Sequence, residues 1–141
     1  MGQSKPFRAT ALVVEDDPMQ REMISLLLEE SHFDVIECES AEAAEAVLSR
    51  IAGELSLVMT DVSLAGSMNG VALAHVAKRY NPKLDVIVTS GEPLPEPLPE
   101  GVAYWSKPWA PLDVIRLAEQ TALRMSQQLP DGARGEKGGR R

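Results

Sequence analysis

The sequence predicts a single α/β domain built on a five-stranded parallel sheet with helices on both faces. Short apolar, β-branched runs alternate along the chain with segments whose apolar residues recur at helical spacing, which is the pattern of a parallel sheet covered on both sides. The length of 141 residues also suits one domain with one core. We expect an N-terminal arm over residues 1–8, the domain over residues 9–126, and a disordered Gly/Arg-rich tail over residues 127–141.

The first half of the chain is predicted to contain three strands, each a cluster of apolar or β-branched residues, and two helices. The strands are expected at residues 11–14, 35–36 and 57–60. Asp17 can cap the first helix, with Pro18 at its first position, and Ser40 can cap the second. The first helix is expected to carry one apolar face, formed by Met19, Met23, Leu26 and Leu27.

The second half of the chain is predicted to contain two strands and two helices. A helix beyond the loop 62–70 is stopped at Asn81-Pro82, and the last helix opens at Pro111. The strands are expected at residues 86–89 and 102–106. Right-handed crossovers then give the strand order 2-1-3-4-5, which is a doubly wound, flavodoxin-like sheet.

One connection departs from the alternation of strands and helices. Between the fourth and fifth strands, where a helix is due, proline occupies every second position from Pro93 to Pro99. Such a segment cannot form an α-helix, because proline lacks a backbone donor and pushes the preceding residue toward extended geometry. We therefore expect the fourth helix to be missing or irregular and Glu92 to Glu100 to be polyproline-like.

Composition excludes several functional classes. The net charge of -7 disfavours binding to a nucleic-acid backbone. The single cysteine, Cys38, excludes an internal disulfide framework. No apolar stretch approaches the ~20 residues that span a bilayer, and the N-terminus lacks a signal-peptide core. We expect a cytoplasmic protein without a membrane or nucleic-acid partner.

Polar side chains follow four of the predicted strands at the point where each strand ends. The carboxyl ends of parallel strands meet at one edge of the sheet, where ligands bind. Two carboxylates ~4 Å apart repel by roughly 4 kcal/mol at an effective dielectric near 20, so acidic groups that share this edge need a proton or a cation between them. Magnesium suits such oxygen ligands, and a carboxylate can act as nucleophile toward a phosphoryl group. The polar groups are Glu15, Asp16 and Asp17, then Asp61, Ser90 and Lys107.

At these positions the chain resembles the receiver domain of response regulators in two-component signalling. The resemblance covers residues 9–126 approximately. Each motif alone is weak, but the order and spacing of the motifs together are specific. The motifs are Val13-Val14-Glu15-Asp16-Asp17-Pro18, Met59-Thr60-Asp61 followed by Asn69-Gly70, Val88-Thr89-Ser90-Gly91, and Ala103-Tyr104-Trp105-Ser106-Lys107-Pro108-Trp109.

The resemblance implies a phosphorylation site with a bound magnesium ion. Asp61 corresponds to the phosphoacceptor, and Glu15 and Asp16 correspond to the acidic pair that binds Mg²⁺ together with Asp61. The backbone carbonyl of Ser63 is implied as a further metal ligand. The resemblance also implies that the Lys107-Pro108 peptide bond is cis.

The resemblance also implies a set of residues that respond to the phosphoryl group. Ser90 matches the switch Ser/Thr, although the neighbouring Thr89 competes for that role. Lys107 matches the invariant lysine and Tyr104 the aromatic switch position. Ser63 and Glu92 are candidate modulators of dephosphorylation, since Glu92 is close enough in sequence to orient a hydrolytic water.

Two features depart from the family pattern. Leu64-Ala65 stand where receivers usually carry Met-Pro, and the loop to Gly70 appears one residue longer. The proline-rich segment replaces the fourth helix, which is a frequent signalling surface. These departures leave phosphoacceptance intact and put the usual route to partner binding in doubt.

The sequence therefore predicts a stand-alone signalling switch and not an enzyme. A histidine kinase or a histidine phosphotransfer protein would donate the phosphoryl group to Asp61, and an unknown downstream protein would read the changed surface. One alternative is a constitutive protein-interaction module whose acceptor site is rarely used. A small aspartate-nucleophile phosphatase fits less well, because Ser63 stands where such an enzyme needs a second aspartate.

Overall fold

A computed structural model describes residues 8–127 and contains the predicted five-stranded parallel sheet, in the order β2-β1-β3-β4-β5. Helices cover both faces of the sheet, so the predicted fold class is confirmed. The elements are β1 (Ala9–Val14), α1 (Pro18–Glu30), β2 (Phe33–Cys38), α2 (Ala41–Ile51), a 3₁₀ turn (Ala52–Glu54), β3 (Leu57–Asp61), α3 (Gly70–Tyr80), β4 (Asp85–Ser90), β5 (Ala103–Ser106) and α4 (Pro111–Gln127).

A polar side chain caps each of the first three helices. The Asp17 carboxylate accepts from the Met19 N–H at 2.9 Å, and the Ser40 hydroxyl accepts from the N–H of residue 43 at 3.1 Å. The Asn69 side chain accepts from the N–H of residue 72 at 2.9 Å. These bonds satisfy backbone donors that have no partner inside the helix, and so they set the residue at which each helix begins.

The sheet separates two apolar cores, one on each face. Leu12, Val58 and Val88 face α2 and α3, where they pack with the buried side chains of those helices. Val13 and Met59, their neighbours along the same strands, face α1 and α4. Successive side chains of a strand point to opposite faces, so near-continuous apolar strands supply both cores at once.

The apolar face predicted for α1 is largely exposed, and a different side of the helix enters the core. Met19 is 79% exposed and Leu26 is 51% exposed, whereas Ile24 and Leu28 are buried. Apolar residues occur around more than one side of this helix, so sequence periodicity allows two orientations. The sheet and α4 select the side that carries Ile24 and Leu28, because that side fills the core between β1, β2 and α4.

The proline-rich segment contains no α-helix, as predicted, and lies over α3. Leu94 and Leu98 pack against the α2/α3 core. The Asn69 amide donates to the Glu96 carboxylate at 3.3 Å, and a His75 ring nitrogen lies 3.4 Å from the Pro97 carbonyl oxygen. The segment therefore covers part of this face without forming a helix, and the chain bends at residues 91–92 and 95–96.

The predicted arm and tail lie almost entirely outside the described residues. Arg8 is the only arm residue described, and its guanidinium pairs with Asp34 at 2.9 Å. α4 continues through Gln127, which is one residue into the predicted tail. Across residues 8–127, we find no helix long and apolar enough to cross a membrane.

Candidate phosphoryl-transfer site

The carboxyl ends of the strands bring the candidate site together at one edge of the sheet. Asp61, the last residue of β3, lies opposite Thr89 of β4. The ladder continues past the strand ends, because the Lys107 N–H donates to the Ser90 carbonyl at 2.8 Å and the Glu15 N–H donates to the Cys38 carbonyl at 3.0 Å. Backbone hydrogen bonds thus place residues that are far apart in sequence around one crevice.

The ammonium group of Lys107 connects the two buried acidic groups of this crevice. Its Nζ lies 3.0 Å from Oδ2 of Asp61 and 3.9 Å from Oε1 of Glu15. The Asp61 Oδ1 atom accepts no hydrogen bond from any residue of the described chain. One Asp61 oxygen is therefore held by a cation, and the other is available for a ligand or for chemistry.

Glu15 is buried, and its surroundings disfavour the charged form of its carboxyl group. The pKa of Glu15 is raised to about 7, chiefly by burial and in smaller part by the nearby Asp61 charge, against the opposing effects of the Asp17 N–H and Lys107. The Asp17 N–H bond to Oε2 of Glu15 measures 3.1 Å. Asp16, in contrast, is exposed. The two members of the predicted metal-binding pair therefore occupy very different environments.

Gln20 contributes a contact that the sequence interpretation missed. Its amide nitrogen donates to Asp17 at 3.0 Å, and its Oε1 atom accepts from the Lys107 ammonium at 3.1 Å. Gln20 thereby links the cap of α1 to the lysine, and only the three-dimensional placement of Lys107 makes this second role visible.

The oxygen groups at this edge suit a hard divalent cation. Glu15, Asp16 and Asp61 supply carboxylate oxygens, which Mg²⁺ prefers. Within residues 8–127, however, no three acidic, histidine or cysteine side chains are already drawn together around one point. The Lys107 ammonium lies near both Glu15 and Asp61, whereas the Asp16 side chain is exposed. The carboxylate oxygens of Glu15, Asp16 and Asp61 fit magnesium in their chemistry.

The start of α3 lies close against the backbone of Asp61 and Val62. The Gly70 N–H donates to the Val62 carbonyl at 2.9 Å, and the Thr60 hydroxyl donates to the Asp61 carbonyl at 2.9 Å. A Cβ atom on Gly70 would overlap the Asp61 carbonyl oxygen. Only glycine allows α3 to begin this close to the candidate phosphoacceptor.

The predicted switch residues lie around the site but do not all face it. Ser90 is buried, and its hydroxyl is engaged with the Glu92 backbone. Thr89 is also buried, and its carbonyl accepts from the Val62 N–H at 2.9 Å. Tyr104 is 39% exposed on the edge strand β5. The Lys107-Pro108 bond is cis, which confirms that prediction.

The loop after Asp61 contains a further contact that was not predicted. Ser63 lies exposed at the start of this loop. The Glu42 carboxylate, in the first turn of α2, accepts hydrogen bonds from Ser67 and Met68 in the same loop. Glu42 precedes these residues by 25 and 26 positions, so no local sequence signal connects them.

Comparison with known proteins assigns the family. A sequence model of the response regulator receiver domain matches residues 11–98, and the chain belongs to this family. It is 31% identical over 119 residues to a cyclic di-GMP phosphodiesterase of Thermotoga maritima, a match that covers 82% of this chain and 31% of that protein. It is 36% identical over 83 residues to the transcriptional regulatory protein AruR of Pseudomonas aeruginosa, covering 57% of this chain and 33% of that protein. The chain thus spans about a third of the length of these relatives.

Solved structures show the same architecture. A CheY-like receiver domain protein from Methanospirillum hungatei superimposes with a TM-score of 0.74 at 20% sequence identity, over 87% of this chain and all of that one. This likeness supports the fold. The family is that of phosphorylation-dependent receivers in two-component signalling, which generally bind Mg²⁺ at an acidic phosphorylation site and interact with histidine kinases or phosphotransfer proteins.

Proposed function

We propose that this receiver domain accepts a phosphoryl group on Asp61 and signals the change by protein–protein contact. The observation that carries the proposal is the 3.0 Å contact between Lys107 Nζ and Asp61 Oδ2 at the carboxyl edge of the sheet. The contact leaves Oδ1 of Asp61 without a hydrogen bond from the described residues. A carboxylate held in this way is oriented for attack by its second oxygen.

The proposed transfer joins an Asp61 carboxylate oxygen to phosphorus while the phosphorus–nitrogen bond of a donor phosphohistidine breaks. The electron pair of that bond stays on the imidazole nitrogen, which takes up a proton from water. The Lys107 ammonium, already 3.0 Å from Asp61, offsets the negative charge that arrives with the phosphoryl group. A histidine kinase or a histidine phosphotransfer protein is the proposed donor.

Mg²⁺, held by Glu15, Asp16, Asp61 and the Ser63 carbonyl, would neutralise charge on the phosphoryl oxygens. Asp16 supports this proposal because it is exposed and can turn inward, while Glu15 is already buried beside Lys107. Ser63 follows Asp61 by two residues and Glu92 follows Ser90 by two, and both are proposed to modulate loss of the phosphoryl group by water.

Output is proposed to involve Ser90, Tyr104 and the proline-rich segment. A phosphoryl group adds about -1.5 to -2 charges and three acceptor oxygens, so it competes for the Ser90 hydroxyl. Ser90 now donates to the Glu92 carbonyl at 2.7 Å. Loss of that bond would release the beginning of the proline-rich segment and allow Tyr104 to move.

The decisive experiment is incubation with acetyl phosphate and Mg²⁺, followed by intact mass measurement. We expect the mass to increase by one phosphoryl group, and we expect no increase when EDTA replaces Mg²⁺. Absence of any mass increase with acetyl phosphate, phosphoramidate and a phosphorylated histidine phosphotransfer domain would overturn it. That result would favour the alternative, a constitutive interaction module.

A further inference from the structure

The loop after Asp61 returns to its own starting point. Residues 62–69 leave the end of β3, and the loop closes where the Gly70 N–H donates to the Val62 carbonyl at 2.9 Å. Both ends of the loop therefore belong to the candidate site. Its sequence offers little internal stiffness, because residues 62–69 contain Gly66 and no proline.

A carboxylate from another element holds the middle of this loop. Oε2 of Glu42 accepts from the Ser67 N–H at 3.1 Å, from the Ser67 hydroxyl at 3.1 Å and from the Met68 N–H at 3.0 Å. Hydrogen bonds from its own backbone N–H and from the Ser67 hydroxyl lower the pKa of Glu42. The carboxylate is therefore charged at neutral pH, and hydrogen bonds to a charged acceptor are stronger than neutral ones.

The loop backbone is shaped to receive this carboxylate. Gly66 has a φ of +96°, and a Cβ atom there would lie 2.6 Å from Oε1 of Glu42. Ser40, the cap of α2, forms a parallel β-bridge with Ala65. Two successive contacts thus fix residues 65–68 against the beginning of α2.

We infer that Glu42 is a positioning residue for the phosphoryl-transfer site and acts through the 62–69 loop. The inference rests on the proposed function, since the loop supplies the Ser63 carbonyl proposed to bind Mg²⁺. This ion requires near-ideal octahedral geometry at about 2.0–2.1 Å, so a backbone ligand on a loose loop would bind it poorly. Through its hydrogen bonds to Ser67 and Met68, Glu42 supplies rigidity that the loop sequence itself lacks.

The test compares Glu42→Ala and Glu42→Gln with Glu45→Ala, a matched loss of charge on the same helix. The Glu45 side chain makes no hydrogen bond or ion pair within the described residues. Amide exchange measured by NMR without Mg²⁺ should accelerate at Ser67 and Met68 in Glu42→Ala only. Its affinity for Mg²⁺ should fall roughly tenfold, as for other residues that orient metal ligands. Glu42→Gln keeps an acceptor oxygen and should lose less than Glu42→Ala.

A second variant tests the same contact by changing the loop in place of Glu42. Gly66→Ala forces a side chain into an unfavourable φ and toward Glu42, so it should also weaken Mg²⁺ binding. If both act through one loop, the loss in the Glu42→Ala/Gly66→Ala double variant should be clearly smaller than the two single losses combined. Should Glu42→Ala fail to fold, Glu42→Gln and Gly66→Ala carry the comparison.

Unchanged Mg²⁺ affinity in the folded Glu42 variants, or an equal loss in Glu45→Ala, would overturn the inference. Failure of the proposed function looks different. In that case the unmodified protein and Glu45→Ala would themselves show neither magnesium binding nor a phosphoryl mass increase.

Discussion

The Ser90 side chain forms a closed hydrogen-bonded turn with the backbone of Glu92. Its hydroxyl donates to the Glu92 carbonyl at 2.7 Å and accepts from the Glu92 N–H at 3.0 Å. The Ser90 carbonyl accepts from the Lys107 N–H at 2.8 Å. One residue therefore joins the lysine of the candidate site to the first turn of the proline-rich segment.

This turn predicts where phosphorylation acts on the structure. With beryllium fluoride and Mg²⁺ as a phosphoryl mimic, the Ser90 hydroxyl should leave Glu92, and amide exchange should change at Leu94, Glu96, Leu98 and residues 100–103. Ser90→Ala removes the hydroxyl and should suppress that change while the mimic still binds. Changes confined to other loops would show that the signal leaves through a different surface.

Asp61→Asn should abolish the phosphoryl mass increase. The substitution keeps the size of the side chain, so the fold should remain, but an amide cannot act as the nucleophile. Intact mass after incubation with acetyl phosphate and Mg²⁺ measures the outcome. A persistent single phosphorylation of this variant would refute the assignment of the acceptor.

Asp16→Asn should weaken Mg²⁺ binding more than Glu15→Gln. Asp16 is exposed and is implied to bind the ion directly, whereas Glu15 is buried beside Lys107 and is expected to act through water. A magnesium titration followed by the fluorescence of Trp105 and Trp109 compares the two variants. Equal or reversed losses would contradict this division of roles.

Glu15→Gln should make the magnesium-free protein less sensitive to pH. Burial raises the pKa of Glu15 from 4.5 to about 7, so the folded state holds its proton more tightly than the unfolded chain does. The stabilisation from this proton is present below pH 4.5 and is lost as pH rises through about 7. The loss between pH 5 and 8 is on the order of 2 kcal/mol and should be absent in Glu15→Gln. Urea unfolding of both proteins in EDTA measures it, and parallel pH profiles would contradict the prediction.

Gly70→Ala should destabilise the fold and impair phosphorylation together. The added methyl group would overlap the Asp61 carbonyl, which is backbone and cannot rotate away. We expect a loss of about 1–3 kcal/mol in unfolding free energy and a smaller phosphoryl mass yield. Gly53→Ala is the control, because its new Cβ would meet nothing within 4 Å. Similar effects of the two substitutions would show that the contact with Asp61 is unimportant.

Much of the site was predictable because it depends on the periodicity of the backbone. Alternating strands and helices predict a parallel sheet, and a parallel sheet places every strand end at the same edge. That rule alone brings Glu15, Asp61, Ser90 and Lys107 together, as the structure shows. The alternating prolines allowed an equally firm prediction for residues 92–100. Proline has no backbone N–H, so this segment cannot form an α-helix in any tertiary environment.

Only the tertiary structure decided the contacts that depend on how separate elements pack. α1 has more than one apolar side, and the core selected Ile24 and Leu28 over Met19. Gln20 reaches Lys107, and Glu42 reaches Ser67, across sequence separations of 87 and 25 residues. A polar residue carries no local sign of such a partner, because its spacing and type are the same whether it faces water or a distant loop. The sequence by itself therefore determined the sheet and the edge at which the chemistry gathers, and the packing of helices and loops decided which polar groups hold that edge in place.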